Sequence, residues 1–107
     1  MRFSWVYMLA SQRNGTLYVG VTTDLVRRVA EHREGVLPGF TREHGVKRLV
    51  WFETHESVEA AIRREKRLKE WQRGWKIGLI EKGNPEWRDL WLDVVGVDPA
   101  VKPRDDE

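Results

Sequence analysis

An α+β fold, a small three-stranded antiparallel sheet with flanking helices in the order ββαβα, is predicted by three observations in this 107-residue chain. Two apolar, aromatic-rich runs, "FSWVYMLA" at 3–10 and "TLYVGV" at 16–21, flank Asn14-Gly15, the strongest short signal for a β-hairpin. The helical pattern "LVRRVAEHRE" comes next. A third strand-like run, "KRLVWFE" at 47–53, then precedes a longer amphipathic segment. The length suits one domain, placed at residues 1–97, with an acidic, disordered tail at 98–107.

A two-residue turn at Asn14-Gly15 would set Tyr7 opposite Thr22 and Tyr18 opposite Ser11. Both tyrosines then leave the same face, about four residues or roughly 13 Å apart along the strands. Twist, a bulge or the length of the side chains must bring their hydroxyls together. Thr23 or Asp24 can cap the first helix and Gly35 can stop it. "GVLPGFTREHG" is expected as a loop. Ser57 can cap the longer helix, and Gly74 or Gly78 marks a break before "KIGLIEKG". In "NPEWRDLW" an Asn-Pro turn opens a short segment in which Trp87 and Trp91 can pack at i, i+4.

The chain has no cysteine, which removes disulfides and thiolate metal sites. Nothing approaches a membrane span or a secretion signal, so a soluble cytoplasmic protein is expected, with no membrane partner. Its formal charge is only +2, but the last ten residues hold four acids and two bases. That leaves 17 bases and 13 acids, +4, on the first 97. "IRREKRLKEWQRGWK" sets seven cations against two glutamates and interleaves tryptophan, a pattern suited to nucleic acid as well as to a solvated helix face. Arg27, Lys47, Arg63, Lys66, Lys69 and Arg73 are the candidate phosphate contacts.

Helical geometry sorts the first helix. Leu25, Arg28, Val29 and His32 fall within about a third of a turn, while Arg27 points almost opposite. Arg28 and His32 can contact a phosphate together; equally, Arg28 can snorkel over the core with His32 satisfied by a carbonyl. In the second helix Glu65 lies inside the apolar stripe of Val58, Ala61, Ile62, Leu68 and Trp75. A carboxylate placed there must be paired, for instance with Arg28, or protonated, or bound to a metal such as Mg²⁺, which is often held by one protein oxygen plus water and phosphate. Tyr7 and Tyr18 are core residues or site residues on pattern alone, and His44 and His55 carry no signal.

With these residues assembled, the chain resembles the GIY-YIG nucleases, in particular small stand-alone bacterial members related to the N-terminal incision domain of the excision-repair subunit excinuclease C. The half-motifs stand as "VYM" at 6–8 and "YVG" at 18–20, their tyrosines eleven positions apart. "TTDLVRRVAEH" places the family's arginine at Arg28, with His32 one turn later, and "AAIRREKRLKEW" places its metal-ligating glutamate at Glu65. The match runs from about Trp5 to Trp91. Val6 and Met8 replace the outer letters of the first half-motif, and Ile77 stands where a late asparagine is expected, with Asn84 the nearest candidate.

The resemblance implies phosphodiester hydrolysis with one Mg²⁺ or Mn²⁺ held by Glu65. Tyr18 is then the general base, Tyr7 assists, Arg28 and His32 stabilise the phosphate, and Asn84 is a candidate third-motif residue. The implied partner is DNA, including structured or branched DNA met in repair or recombination. Two other readings stand beside it: a non-catalytic nucleic-acid-binding module using the basic second helix, and a protein-interaction domain docking through Trp87 and Trp91.

Overall fold

The computed structural model describes residues 3–96, so the acidic tail expected at 98–107 lies outside the described residues. Strands β1 (Ser4–Ala10) and β2 (Leu17–Thr22) form the hairpin, followed by α1 (Leu25–Glu34), the single turn α2 (Phe40–Glu43) and β3 (Arg48–His55). Then come α3 (Val58–Glu70), α4 (Arg73–Gly83) and α5 (Trp91–Gly96). Among the described residues the strands make one antiparallel sheet, ordered β2-β1-β3. The α+β sheet with flanking helices is therefore as expected.

Strand alternation divides the core in two. On one face Val6, Met8, Ala10, Val19 and Val50 pack beneath Ala61 and Leu68 of α3, Ile80 of α4 and Trp87. On the other, Tyr7, Leu9 and Leu49 pack beneath Leu25 and Val29 of α1 and Val46, with Trp91 and Val94 of α5 beside them. A bulge in the β1–β3 ladder between Met8 and Leu9 lets Val50 stay on the first face while Leu49 turns to the second. Arg33 of α1 ties down α5, lying 5.1 Å over the Trp91 ring and donating to Asp89 at 2.6 Å. Among the described residues no helix is long and apolar enough to cross a membrane.

Several local expectations are met. Asp24 caps α1 by accepting from the Arg27 N–H, and Gly35 ends it in the left-handed conformation at φ 71°. Ser57 caps α3 by accepting from the Ala60 N–H.

Four expectations are corrected. The hairpin loop spans four residues: the Ser11 N–H donates to Thr16 and the Gly15 N–H to Gln12, so Tyr7 faces Gly20 and Tyr18 faces Leu9. The presumed loop at 35–45 contains α2. The long helix breaks at Trp71 and Gln72, both extended, and Gly74 and Gly78 lie inside α4. Trp75 consequently leaves the α3 stripe and is 60% exposed. Finally, Trp87 and Trp91 do not pack together, because the chain crosses the β3 edge between them and each enters a different core.

Candidate active site

The four-residue loop moves the tyrosine register by two, which keeps both on one face and makes them diagonal neighbours, their ring centroids 6.2 Å apart. Gly20, directly across from Tyr7, makes room for the phenol. A Cβ there would lie 2.5 Å from the Tyr7 hydroxyl oxygen and 2.9 Å from the Tyr18 ring. Any side chain at position 20 would displace one tyrosine or the other.

α1 supplies the next layer. Its buried stripe sets His32 against both phenols, with centroids 5.8 Å from Tyr7 and 5.5 Å from Tyr18. The Tyr7 hydroxyl lies 3.0 Å from His32 Nε2, and Nδ1 lies 3.0 Å from Thr41 Oγ1 of α2. Three buried side chains thus form one line, Thr41–His32–Tyr7, without any backbone group between them. Burial, then Tyr18, push the Tyr7 hydroxyl well above the usual tyrosine value, with Arg28 opposing. Burial, then Arg28, hold His32 below its usual value, with Glu31 opposing. At neutral pH the line is therefore uncharged, and Tyr18, half-exposed at its end, borders the Tyr7 hydroxyl together with Arg28.

Beside this line the floor turns polar. Arg28 is 42% exposed and Arg27 is 76% exposed, and Glu31 accepts from both at 3.3 Å. The two arginines thus lie as helical geometry sorts them, with Arg28 beside the Tyr7 hydroxyl. Arg28 also lines a groove of about 260 Å³ with Ser4, Val21, Thr22 and Thr23 on one side and Val58 and Ile62 of α3 on the other. The Ser4 Oγ in its wall is buried and lacks a partner among the described residues.

The α3 stripe is only partly core. Ala61 and Leu68 alone bury the α3 stripe, whereas Val58 and Ile62 are over a third exposed as groove wall. Glu65 follows Ile62 three residues on, on the same side of α3, just beyond the residues that line the groove. Its side chain, 12% exposed, pairs with Lys69 at 2.6 Å and not with Arg28. The acid that looked misplaced in a core is largely buried on the groove-lining helix and neutralised by Lys69. Among the described residues no three histidine or acidic side chains cluster as a metal cage. The donor set fits an ion held by one carboxylate, with the remaining positions taken by water and phosphate.

Asn84 goes elsewhere. Its side-chain amide donates to the carbonyls of Val50 and Arg88 and accepts from the Arg88 N–H, all at the β3 edge, with β1 between it and the Tyr18 strand. Of the candidate phosphate contacts, Arg27, Lys47, Arg63, Lys66 and Lys69 are exposed. Arg73 is exposed as well, but its guanidinium donates to the carbonyls of Asn14 and Gly15, clamping the hairpin turn to α4. One residue, Thr41, was not anticipated as part of the site. Gly20 stood in the second half-motif beside Tyr18, although its close approach to Tyr7 shows only in the fold, and Thr41 lay in a presumed loop with no signal of its own.

Comparison with known proteins gives the family and the fold. Residues 3–77 match the model of the GIY-YIG catalytic domain. A UPF0213 protein of Aeromonas salmonicida is 34% identical over 93 residues, spanning 85% of this chain and 68% of that protein. One from Haloquadratum walsbyi is 37% identical over 81 residues, spanning 76% and 90%. The solution structure of a UPF0213 protein from Bacillus halodurans matches with a TM-score of 0.52 at 31% identity, covering 84% of this chain and 95% of that one. The match over residues 3–77 and relatives at 34% and 37% identity place the chain in the GIY-YIG family.

Proposed function

We propose that this protein is a metal-dependent endonuclease that hydrolyses phosphodiester bonds in DNA at the β2 edge. The observation that carries the reading is the meeting of Tyr7, Tyr18, His32 and Arg28 beneath Gly20, in a core where hydroxyl and imidazole groups would otherwise be a cost. The two tyrosines divide the work. Tyr7 is fully buried and keeps its proton, so it serves as a hydrogen-bonding post; Tyr18 reaches the surface, where as the phenolate, its own proton first given up to solvent, it would hold a water and take that water's proton. Neutral His32 allows the line two proton arrangements. With the proton on Nε2, Thr41 donates to Nδ1, Nε2 donates to Tyr7, and the Tyr7 O–H is free to point at an incoming oxygen. Arg28 offers its guanidinium to the non-bridging phosphate oxygens. Glu65 would hold Mg²⁺ or Mn²⁺, whose chemistry is stabilisation of charge on the leaving oxygen. Asn84 has no part in this scheme, since its amide is already saturated.

The test is purified protein on supercoiled plasmid and on branched DNA, with Mg²⁺ or Mn²⁺. Tyr18→Phe should lower cleavage roughly 10²–10⁴-fold, and Glu65→Ala should abolish it, both with unchanged melting temperature. Undiminished cleavage by either variant would overturn the assignment. Salt-sensitive DNA binding without cleavage by the wild type would instead support the non-catalytic binding module.

A further inference from the structure

Tyr18 is the first of three rings in a row. Phe40 of α2 stacks on it at 6.5 Å and 25°, and His44 stacks on Phe40 at 4.3 Å and 21°. The His44 Nδ1–H donates to the Phe40 carbonyl at 3.0 Å, which fixes the outer ring. Phe40 is nevertheless 46% exposed and His44 is exposed. A lone exposed phenylalanine is ordinary, but a near-parallel row that begins at the candidate base is not explained by core packing. The row also leads somewhere. Gly45, next in the chain after His44, lines a polar cleft of about 350 Å³ with Lys47, Arg33 and Arg48. Arg33 is engaged by Asp89 and Arg48 by the Trp87 carbonyl, whereas Lys47 is exposed and without an ion pair among the described residues.

Aromatic faces followed by a free cation suit one ligand chemistry: a nucleotide whose base face is open and whose phosphate lies to the side. Bases inside a duplex are stacked on each other and offer no face. We infer that the Tyr18–Phe40–His44 row stacks an unpaired DNA base beside the cut while Lys47 holds a neighbouring phosphate, so that the site selects strands with unpaired nucleotides. The position of the cut rests on the nuclease reading above; the stacking does not.

Binding measured in EDTA separates the two. Affinities for a labelled single strand and for a blunt duplex of the same sequence are compared by fluorescence anisotropy, with 2-aminopurine in the strand reporting stacking. Phe40→Ala should lower the single-strand to duplex affinity ratio about tenfold and relieve the 2-aminopurine quenching. Phe40→Trp should keep both. Lys47→Ala should weaken single-strand binding and reduce the slope of log K against log salt by about one. An unchanged ratio, or an equal fall for strand and duplex, overturns the inference. If Phe40→Ala does not fold, His44→Ala at the open end of the row carries the same comparison. A wild type that never cuts DNA but shows the ratio change removes the nuclease reading and leaves the stack. Cleavage that needs Tyr18 and Glu65 without any ratio change does the reverse.

Discussion

Two buried polar networks lie on opposite sides of β1, and they end differently. The Asn84 network closes on itself: one amide takes up two carbonyls and an N–H, while Trp87, held at φ 58°, donates its indole N–H to Glu81 at 2.7 Å. Every polar group finds a backbone or local partner, and the result is a corner that pins the chain to β3. The Thr41–His32–Tyr7 line uses no backbone and ends beside a half-exposed phenol at the protein surface. Buried polar groups are usually satisfied by backbone. A side-chain line that stays open at one end is therefore the better sign of chemistry, even though Asn84 was the more conspicuous residue in the sequence.

The strongest way to break this contrast is at Gly20. Its φ is unremarkable, so Gly20→Ala acts through space alone: the new methyl meets the Tyr7 ring and hydroxyl at 2.5 Å inside a packed core. We expect destabilisation of about 3 kcal/mol, at the upper end for overpacking, together with loss of cleavage as the two phenols separate. Urea unfolding and a plasmid assay below the melting temperature would check both. An active, stable Gly20→Ala protein would mean that the close approach of Tyr7 to the backbone has no role.

Asn84→Ala should give the complementary result. Removing the amide leaves the Val50 and Arg88 carbonyls and the Arg88 N–H to find other partners, at a cost of about 2 kcal/mol. Activity per folded molecule should be retained. If cleavage falls at temperatures where the variant is folded, Asn84 belongs to the chemistry after all and the contrast fails.

The same contrast explains how much could be read from the sequence. α1 was legible to its ends because its stop signals, Asp24 and Gly35, act locally. The faces of the tyrosines were legible although the register was not, since a shift of two preserves strand parity. Asn14-Gly15 misled because only Asn14 takes positive φ, at 59°. Gly15 is required for another reason: a Cβ there would lie 2.3 Å from Ser11 Oγ, which accepts the Thr16 N–H. The break at Trp71 was hidden because neither Trp71 nor Gln72 is a helix breaker; Trp71 is held by packing against the core and by Arg64, 5.5 Å over its ring. Glu65 was noticed for its place in an apolar stripe, but only the fold shows that half of the stripe is groove wall. Thr41 was invisible because its sole distinguishing property is a partner nine residues away.

The smallest expected effect separates the networks by pH. Asn84 and its backbone partners do not titrate near neutrality, so Asn84→Ala should shift the stability curve without reshaping it. His32 does titrate, and burial with Arg28 holds its folded value below the ordinary 6.5 while Glu31 partly offsets them. Below about pH 6.5 the unfolded chain then binds a proton that the folded chain refuses, so folding stability falls as pH drops through that range and levels off below the folded value. The ceiling is about 1.4 kcal/mol per pH unit for one proton. The hydrogen bonds themselves need not break, since imidazolium can donate to both Tyr7 and Thr41; the cost is a second cation placed beside Arg28 in a buried site. His32→Gln should remove this component. The difference between the wild-type and His32→Gln unfolding free energies should shrink as pH falls from 7 to 5, with His44, His55 and the surface carboxylates common to both. Parallel curves across that range would show that His32 takes up its proton without penalty, and the open line would then be no less tolerant of charge than the protein surface.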